Sequence, residues 1–492
     1  MTAEDPAKGT TMTLTGHVTN AAGQGDLAGN MFPIDREITV DRCEVIGEIP
    51  AGLRGSFVRN GPNPMFEPIG KYHMFDGDGM LHGVDFADGS ASYRNRWIRS
   101  RGLEAEIRLG RAVYPGLSDV MNFPDAALVG DAGPVKNLAN THIVRHAGRL
   151  LALWEQGLPT EIAPDLATLG EWDFFGAVKG AVTAHPRIDP FTGEMCFFAY
   201  NFFPPYLTYY VADAQGRLIH TVGLDLPAPV MMHDMVITEH YSVFLDSPIV
   251  FDMEGMADGE PMVRWRGENG TRIGVMPRLG GADDIRWFEV PTSHVQHFWN
   301  AWEEGDRIEV AGCRFEEVEF GIEAESSDQA SGVGSAGARP ARYWVDLGAG
   351  TAGSEYFDDF QGEFCRMNDD LTGRRTDCLY MAGFTRDGAR AGDFDTVVKY
   401  DRRTSTRHNW YVGDDGHIGE NVFAPDPEGR AEDDGWLITS SHDSALGVSE
   451  VLVLDARDVE AGPVARGRSP SACRSASTPT GSQPSSAPAR SS

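Results

Sequence analysis

No apolar run in the chain approaches the roughly 18 residues that a membrane-spanning helix requires, no two cysteines are spaced CxxC, and lysine and arginine never form a block. Each absence excludes a class of function. Without a spanning run, and with an N-terminus (MTAEDPAKGTTMTLTGH) that has no apolar h-region, the sequence reads as a soluble, cytoplasmic protein. The six cysteines, Cys43, Cys196, Cys313, Cys365, Cys378 and Cys473, are scattered. That pattern suits reduced thiols better than a disulfide framework. Against 73 acidic residues stand only 42 basic ones, a net charge of −31. A phosphate-binding surface needs concentrated cations, so nucleic acid is excluded as a partner. Long heptads and regular strand–helix alternation are also missing, as is the HExxH phrase of a zinc hydrolase.

What is present is punctuation. The 57 glycines and 29 prolines, with many Asp and Asn, separate short β-rich runs such as GSFVRNG, EMCFFAYN, LTYYVADAQGRLIHTVGL and VSEVLVLDARD. Turn signals recur about every 8 to 15 residues, a spacing that favours a propeller, barrel or large sandwich over any α/β fold. The DGDG phrase at residues 76–79 reads as a hairpin loop, since the bidentate Glu and flanking helices of a calcium loop are absent. Residues 1–30 are small and polar and read as a loose arm, with an all-β body over 31–466. Residues 102–135 are the one helical or irregular stretch, an insertion over one face. Residues 323–342, EAESSDQASGVGSAGARPAR, read as a mobile surface loop, and residues 467–492 as a disordered tail with almost no apolar content.

Three stretches repeat one arrangement, a loop delivering a histidine to the start of a strand: TAHPRIDPFTGEMCFFAYN with His185, VMMHDMVITEHYSVFL with His233, and SHVQHFWNAWEEGDRIEV with His294 and His297. One such histidine is ordinarily a packing residue; three in a repeating context point to a shared site. His294 lies three residues before His297 and faces elsewhere in a strand, so it reads as structural, as do His240, His408, His417 and His442.

FVRNGPNP, HMFDGDGMLHG, YRNRW, ANTHIVRHAGRLLALWE, TAHPRIDPFTGE, MHDMVITEHY, HFWNAWE, EFCRMN, AEDDGWL and SEVLVLDA occur in this order from about residue 30 to 465. Together they resemble the carotenoid cleavage oxygenase family, which includes apocarotenoid- and stilbene-cleaving dioxygenases. The resemblance implies a seven-bladed β-propeller with a loop and helix cap over its iron-bearing face. It implies a non-haem Fe(II) centre held by four histidines, of which His185, His233 and His297 are three. It offers Glu155, Glu363 and Glu450 as the carboxylates that orient them, and Thr141 as a residue leaning over an open iron position. Imidazole suits ferrous iron, and each ligand ring needs an acceptor on its other nitrogen. The implied reaction is cleavage of a C=C double bond in a carotenoid or apocarotenoid by dioxygen, giving two carbonyl products. A lignostilbene-type activity is the alternative, for which Tyr114 and Lys136 are candidate phenol-recognising residues. An apolar rim making peripheral membrane contact would suit a lipid-dissolved polyene.

The family's fourth histidine lies in a Gly-Phe-His phrase near the C-terminus, and this chain has none. Residues 468–479, back-translated with G/C-rich codons and read from the third base, give Leu-Pro-Gln-Arg-Val-Pro-Phe-Gly-Phe-His-Ala. The tail is therefore expected to be a frameshifted reading, a hypothesis that resequencing across Arg466 tests. As written, the chain is expected to lack the closing strand, to hold iron weakly, and to be less stable. A degenerate, inactive homologue is the rival reading.

Overall fold

A computed structural model describes residue 27 and residues 32–73, 75–119, 122–257, 261–318, 337–386, 393–468 and 480–482. Seven antiparallel sheets are arranged as the blades of a β-propeller. Blade 1 pairs Thr39–Val40, Ser90–Trp97, Gly79–Ala87, Gly55–Pro62 and Thr480–Ser482 in that order. Blade 2 runs His142–His146, Arg149–Leu153, Thr160–Ile162 and Thr168–Glu171, and blade 3 runs Arg187–Ile188, Met195–Tyr200, Leu207–Ala212 and Leu218–Leu224. Val236–Ile237, Tyr241–Asp246, Thr271–Pro277 and Arg286–Val290 form blade 4; His294–Glu304, Arg307–Phe315, Arg339–Asp346 and Thr351–Tyr356 form blade 5. Blade 6 comprises Gly362–Arg366, Cys378–Gly383, Thr396–Asp401 and Thr406–Tyr411. In blade 7, Gly416–Ile418 and Val422–Pro425 both pair with Gly435–Asp443, followed outward by Val448–Asp455, Pro463–Arg468 and Glu44–Gly47.

The hairpins follow from turn chemistry. In DAQGRL, the Asp213 carboxylate accepts the backbone N–H groups of Gln215 and Arg217, and Gly216 takes φ +81°; this is the work Asp and Gly do in tight turns. Each blade is sandwiched between two others, so inner strands such as MCFFAY are buried on both faces rather than alternating. Seven apolar cores lie between successive blades and complete a cycle. They include Leu81 and Ile143 between blades 1 and 2, Phe174 and Phe197 between 2 and 3, and Tyr209 and Phe244 between 3 and 4. The cycle continues with Val243 and Phe298 between blades 4 and 5, Trp299 and Met381 between 5 and 6, Phe364 and Leu454 between 6 and 7, and Trp436 and Phe57 between 7 and 1.

The ring is closed by both ends of the described chain. Glu44–Gly47 adds to the outer edge of blade 7 in register Glu44↔Arg468 to Gly47↔Ala465. Gly47 is needed there: its φ is +84°, and a Cβ would lie 2.3 Å from the Val464 carbonyl oxygen. Thr480–Ser482 pairs with Gly55–Pro62 in blade 1 and also touches the first strand of blade 2 and Val422–Pro425 of blade 7.

Two expectations change accordingly. The closing strand is not missing, and Gly467 and Arg468 belong to a three-way ladder with Val448–Asp455 and Glu44–Gly47. Ladder bonds use backbone groups, which any residue except proline supplies in full. The rest of the tail, 469–479 and 483–492, lies outside the described residues, as do residues 1–26 and 28–30 of the arm. Of the loop expected at 323–342, residues 323–336 lie outside the described residues, but Arg339–Arg342 begin a blade 5 strand.

The insertion caps one face. Arg101–Leu109 is its main helix, with the Ser100 hydroxyl accepting the Leu103 N–H at the start and Gly110 in the left-handed conformation at the end. Among the described residues, no helix is long and apolar enough to cross a membrane.

Candidate metal centre

The first strands of the blades converge, and three of them bring in the histidines. His185 stands just before Arg187–Ile188 of blade 3, His233 just before Val236–Ile237 of blade 4, and His297 lies within His294–Glu304 of blade 5. All three are buried, and one nitrogen from each lies within 4.8 Å of the others. Ring centroids are separated by 4.4 Å (His185–His233), 4.9 Å (His185–His297) and 4.9 Å (His233–His297).

Carboxylates stand behind two of the rings. Glu363, on the first strand of blade 6, faces His297 Nδ1 at 2.5 Å, and Glu155, just beyond the second strand of blade 2, is in contact with His233 Nδ1. The Tyr200 hydroxyl donates to the other Glu155 oxygen at 2.8 Å. With Nδ1–H turned toward a carboxylate, Nε2 of each ring carries a lone pair. Yet His233 Nε2 and His297 Nε2 are 3.2 Å apart, and the buried His185 Nε2 has no hydrogen-bond partner. Lone pairs aimed at one another need a cation between them, so the donor set fits a divalent metal, and neutral imidazoles suit ferrous iron. Burial pushes the His297 ring toward its neutral form, but Glu363, Asp234 and Glu420 together outweigh it and leave the pKa above the ordinary value. His185 is held well below it by burial and then by His233 and His297.

Backbone irregularity aims these groups. The blade 5 ladder shifts register between Val295 and Asn300, around His297, and the blade 6 ladder shifts between Glu363 and Arg366, where Phe364 has φ +60°. Bulges re-aim a side chain, and a non-glycine residue at positive φ costs about 1–3 kcal/mol that surrounding packing must offset. Asp234 fastens the three segments together. It accepts the N–H groups of Met235 (2.7 Å) and Phe298 (2.9 Å) and pairs with Arg187, whose guanidinium also reaches the Met235 and Phe298 carbonyls.

Glu450 requires correction. It sits on the third strand of blade 7 and pairs with Arg468 at 3.0 Å and Arg466 at 3.4 Å, not with an imidazole. The carboxylate facing the centre from blade 7 is Glu420, between the two innermost segments. It is buried, paired with Arg366, and has one oxygen without a partner. Burial raises its pKa, with Arg366 and His297 acting against the rise.

Tyr114 and Lys136 are likewise committed elsewhere. Lys136 Nζ lies 2.8 Å from both Asp78 and Glu106, and burial is outweighed by those carboxylates, so its pKa is raised. The Tyr114 hydroxyl donates to the Gly133 carbonyl. Lys136 thus ties the cap helix to the DGDG segment, and Tyr114 braces the cap internally. Thr141 directly precedes the first strand of blade 2, and its hydroxyl donates to Asn140. The five histidines read as structural have ordinary partners: Ser247 and Gln296 for His294, Glu303 for His240, Glu460 for His408, Asp393 for His417 and Ser449 for His442.

Besides Glu420 and Asp234, sequence reasoning missed His142 and Arg366. The signals were faint: a lone Glu in IGENVFAP, the Asp after His233, and a further His–strand junction in ANTHIV.

Residues 31–476 match the family described as retinal pigment epithelial membrane protein (RPE65). The chain is 32% identical over 471 residues to carotenoid 9,10(9',10')-cleavage dioxygenase 1 of Phaseolus vulgaris, covering 89% of this chain and 86% of that protein. It is 31% identical over 464 residues to isoeugenol monooxygenase of Pseudomonas putida, covering 92% of this chain and 96% of that one. Among solved structures, Pseudomonas brassicacearum lignostilbene dioxygenase superposes with a TM-score of 0.85 at 30% identity, covering 94% of this chain and 98% of that chain.

Proposed function

Because the chain belongs to the carotenoid cleavage oxygenase family, we propose that it is a non-haem Fe(II) dioxygenase cleaving a C=C double bond of a carotenoid or apocarotenoid into two carbonyl products. The observation that carries this reading is the buried trio His185, His233 and His297, with Glu155 and Glu363 fixing two of the rings. When bound, ferrous iron supplies the open-shell partner that dioxygen needs to react with a closed-shell alkene. The alkene and dioxygen contribute all the atoms of both carbonyl groups, so no reductant and no acid–base pair is required.

The protein's own task is positional. Glu155 and Glu363 hold Nδ1–H of His233 and His297, which leaves each Nε2 lone pair free for a metal. Asp234 and Arg187 fix the spacing of the three histidine-bearing segments. A second reading, cleavage of a stilbene-type alkene, is favoured by the TM-score of 0.85 to lignostilbene dioxygenase. Against a phenol-binding role for Lys136 stands its pairing with two carboxylates.

The test is oxygen uptake and product analysis by the Fe(II)-loaded chain, offered an apocarotenal and a hydroxystilbene under ¹⁸O₂. Two labelled carbonyl products from the apocarotenal support the first reading, and cleavage of the stilbene alone supports the second. An iron-loaded chain that consumes no oxygen with either would favour the degenerate-homologue reading.

A further inference from the structure

We propose that Tyr200 is a positioning residue of the metal centre: its hydroxyl fixes the Glu155 carboxylate and, through it, the direction of the His233 lone pair. The inference deepens the metal-centre reading above and rests on it.

The two carboxylates behind the histidine rings are held by different means. Glu363 lies on a strand, and its Oε2 also accepts the N–H of the next residue, Phe364. Glu155 lies on no strand. It follows Arg149–Leu153, in a turn that the Gly157 N–H closes on the Trp154 carbonyl. Other bonds anchor the far end of that turn, from the Val182 N–H to the Gly157 carbonyl and from Asn137 Nδ2 to the Leu158 carbonyl, but none of them reaches the Glu155 side chain. Side chains on strands are placed more precisely than those on loops, so this carboxylate needs an outside brace. Among the described residues, the Tyr200 hydroxyl supplies it, donating to Glu155 Oε2 at 2.8 Å and leaving Oε1 to His233 Nδ1.

Tyr200 suits the task because it is itself fixed. It is the last paired residue of Met195–Tyr200, in register with Leu207, and the Asn201 N–H closes the hairpin on the Tyr206 carbonyl. Its ring packs on Phe251 with centroids 5.4 Å apart, and Phe202 meets Phe251 edge-on at 4.9 Å. Gln156, the neighbour of Glu155 on the turn, donates from Nε2 to the Tyr200 oxygen at 2.9 Å. The phenol therefore accepts from Gln156 and donates to Glu155, which uses its one proton on the carboxylate. Desolvation and then the Glu155 charge raise its pKa well above the ordinary value, so the proton stays on the phenol. Blade 3 thus serves the centre twice, with His185 before its first strand and Tyr200 at the end of its second. The second contribution reaches a histidine of blade 4 through a carboxylate of blade 2.

The test is a double-mutant cycle on the full chain loaded anaerobically with Co(II), using Tyr200→Phe, Glu155→Ala and the two together. Cobalt affinity is read by chelator competition and coordination by the visible d–d spectrum. Tyr200→Phe keeps the ring and removes only the hydroxyl. It is expected to change the spectrum and to weaken cobalt binding about fivefold, short of the ~10- to 100-fold cost of losing the orienting partner itself. In the Glu155→Ala background the same substitution should change affinity less than about 1.5-fold, because an effect carried through Glu155 has nothing left to act on. Unchanged affinity and spectrum in Tyr200→Phe overturn the role of Tyr200 while leaving the trio intact. An equal loss in both backgrounds also overturns it, since the tyrosine would then act on packing alone. Failure of the unaltered chain to bind cobalt overturns the trio as a metal site in this chain and the inference built on it. Should Tyr200→Phe not fold, Gln156→Ala at the exposed end of the relay decides: a weaker affinity that disappears in the Glu155→Ala background supports the assignment, and an unchanged affinity refutes it.

Discussion

Replacing Glu363 by glutamine separates two contributions that the carboxylate makes to the centre. Its contact with His297 Nδ1 is 2.5 Å between buried partners. A hydrogen bond to a charged group contributes about 1.5–3 kcal/mol, roughly twice a neutral one. The amide oxygen of Glu363→Gln can still accept from Nδ1–H, so only the charge-assisted part is lost. That is about 1.4 kcal/mol, or tenfold in metal affinity, at the lower end of the range for disrupting a ligand's orienting partner. The loss should depend on pH in a set direction. Glu363 raises the pKa of His297 despite burial, so in acid the unaltered protein must release a tightly held proton before binding metal. The variant holds that proton less firmly. Chelator competition with Co(II) at pH 8 and pH 6 should therefore show the full tenfold difference at pH 8 and a smaller one at pH 6. Equal affinities at pH 8, or a difference that widens toward pH 6, would refute the argument.

Lys136→Met should lower stability by about 3–5 kcal/mol, because Asp78 and Glu106 are left buried without their cation; urea unfolding measures this, and a loss under 1 kcal/mol would mean that water replaces the ammonium. His82 and His294 are buried with pKa values near 3 and 4, lowered chiefly by burial. Against an unfolded value of about 6.5, the folded state binds fewer protons in acid, so their contribution is complete above pH 6.5 and falls as pH drops toward the folded values. From pH 6.5 to 5 the two together should cost about 3 kcal/mol, and His294→Gln should remove about half of that slope in urea midpoints. Replacing residues 468–479 by Leu-Pro-Gln-Arg-Val-Pro-Phe-Gly-Phe-His-Ala should change the Tm of the metal-free protein by less than about 3 °C, since the closing strand already pairs; a much larger rise would mean that the present ladder contributes little.

The strands were readable because turn residues do local work: Asp213 and Gly216 shape their hairpin whatever surrounds them. Two of the three histidines, His185 and His233, were readable because each sits at a loop–strand junction, a pattern visible in TAHP and MMHD without knowledge of the fold, whereas His297 lies inside its strand. The number of blades was not, since sheets buried on both faces lose the alternation that marks a half-exposed strand. Glu450 and Glu420 show where local reading stops. Both are single glutamates in apolar β-rich text near the C-terminus, and only the strand order of blade 7 separates the one near the axis from the one two strands outward. Bulges around His297 and Glu363 are equally invisible, because register belongs to the pair of strands and not to either sequence.

The same distinction between backbone and side chain bears on the tail. A ladder asks only for N–H and C=O groups at the right spacing, so Gly467 and Arg468 pair on two sides and Thr480–Ser482 occupies the inner edge of blade 1 although the text resembles no family phrase. An imidazole cannot be supplied that way, because one side chain at one position carries it. A shift in reading frame after Arg466 would therefore spare the architecture and strike the chemistry. In this chain Glu450 already turns its charge to Arg466 and Arg468. Glu420, nearer the axis, faces Arg366 and, beyond it, His142. The polar groups on that side of the centre are thus satisfied or nearly so without a C-terminal histidine. That is why the propeller can close with its histidine trio in place.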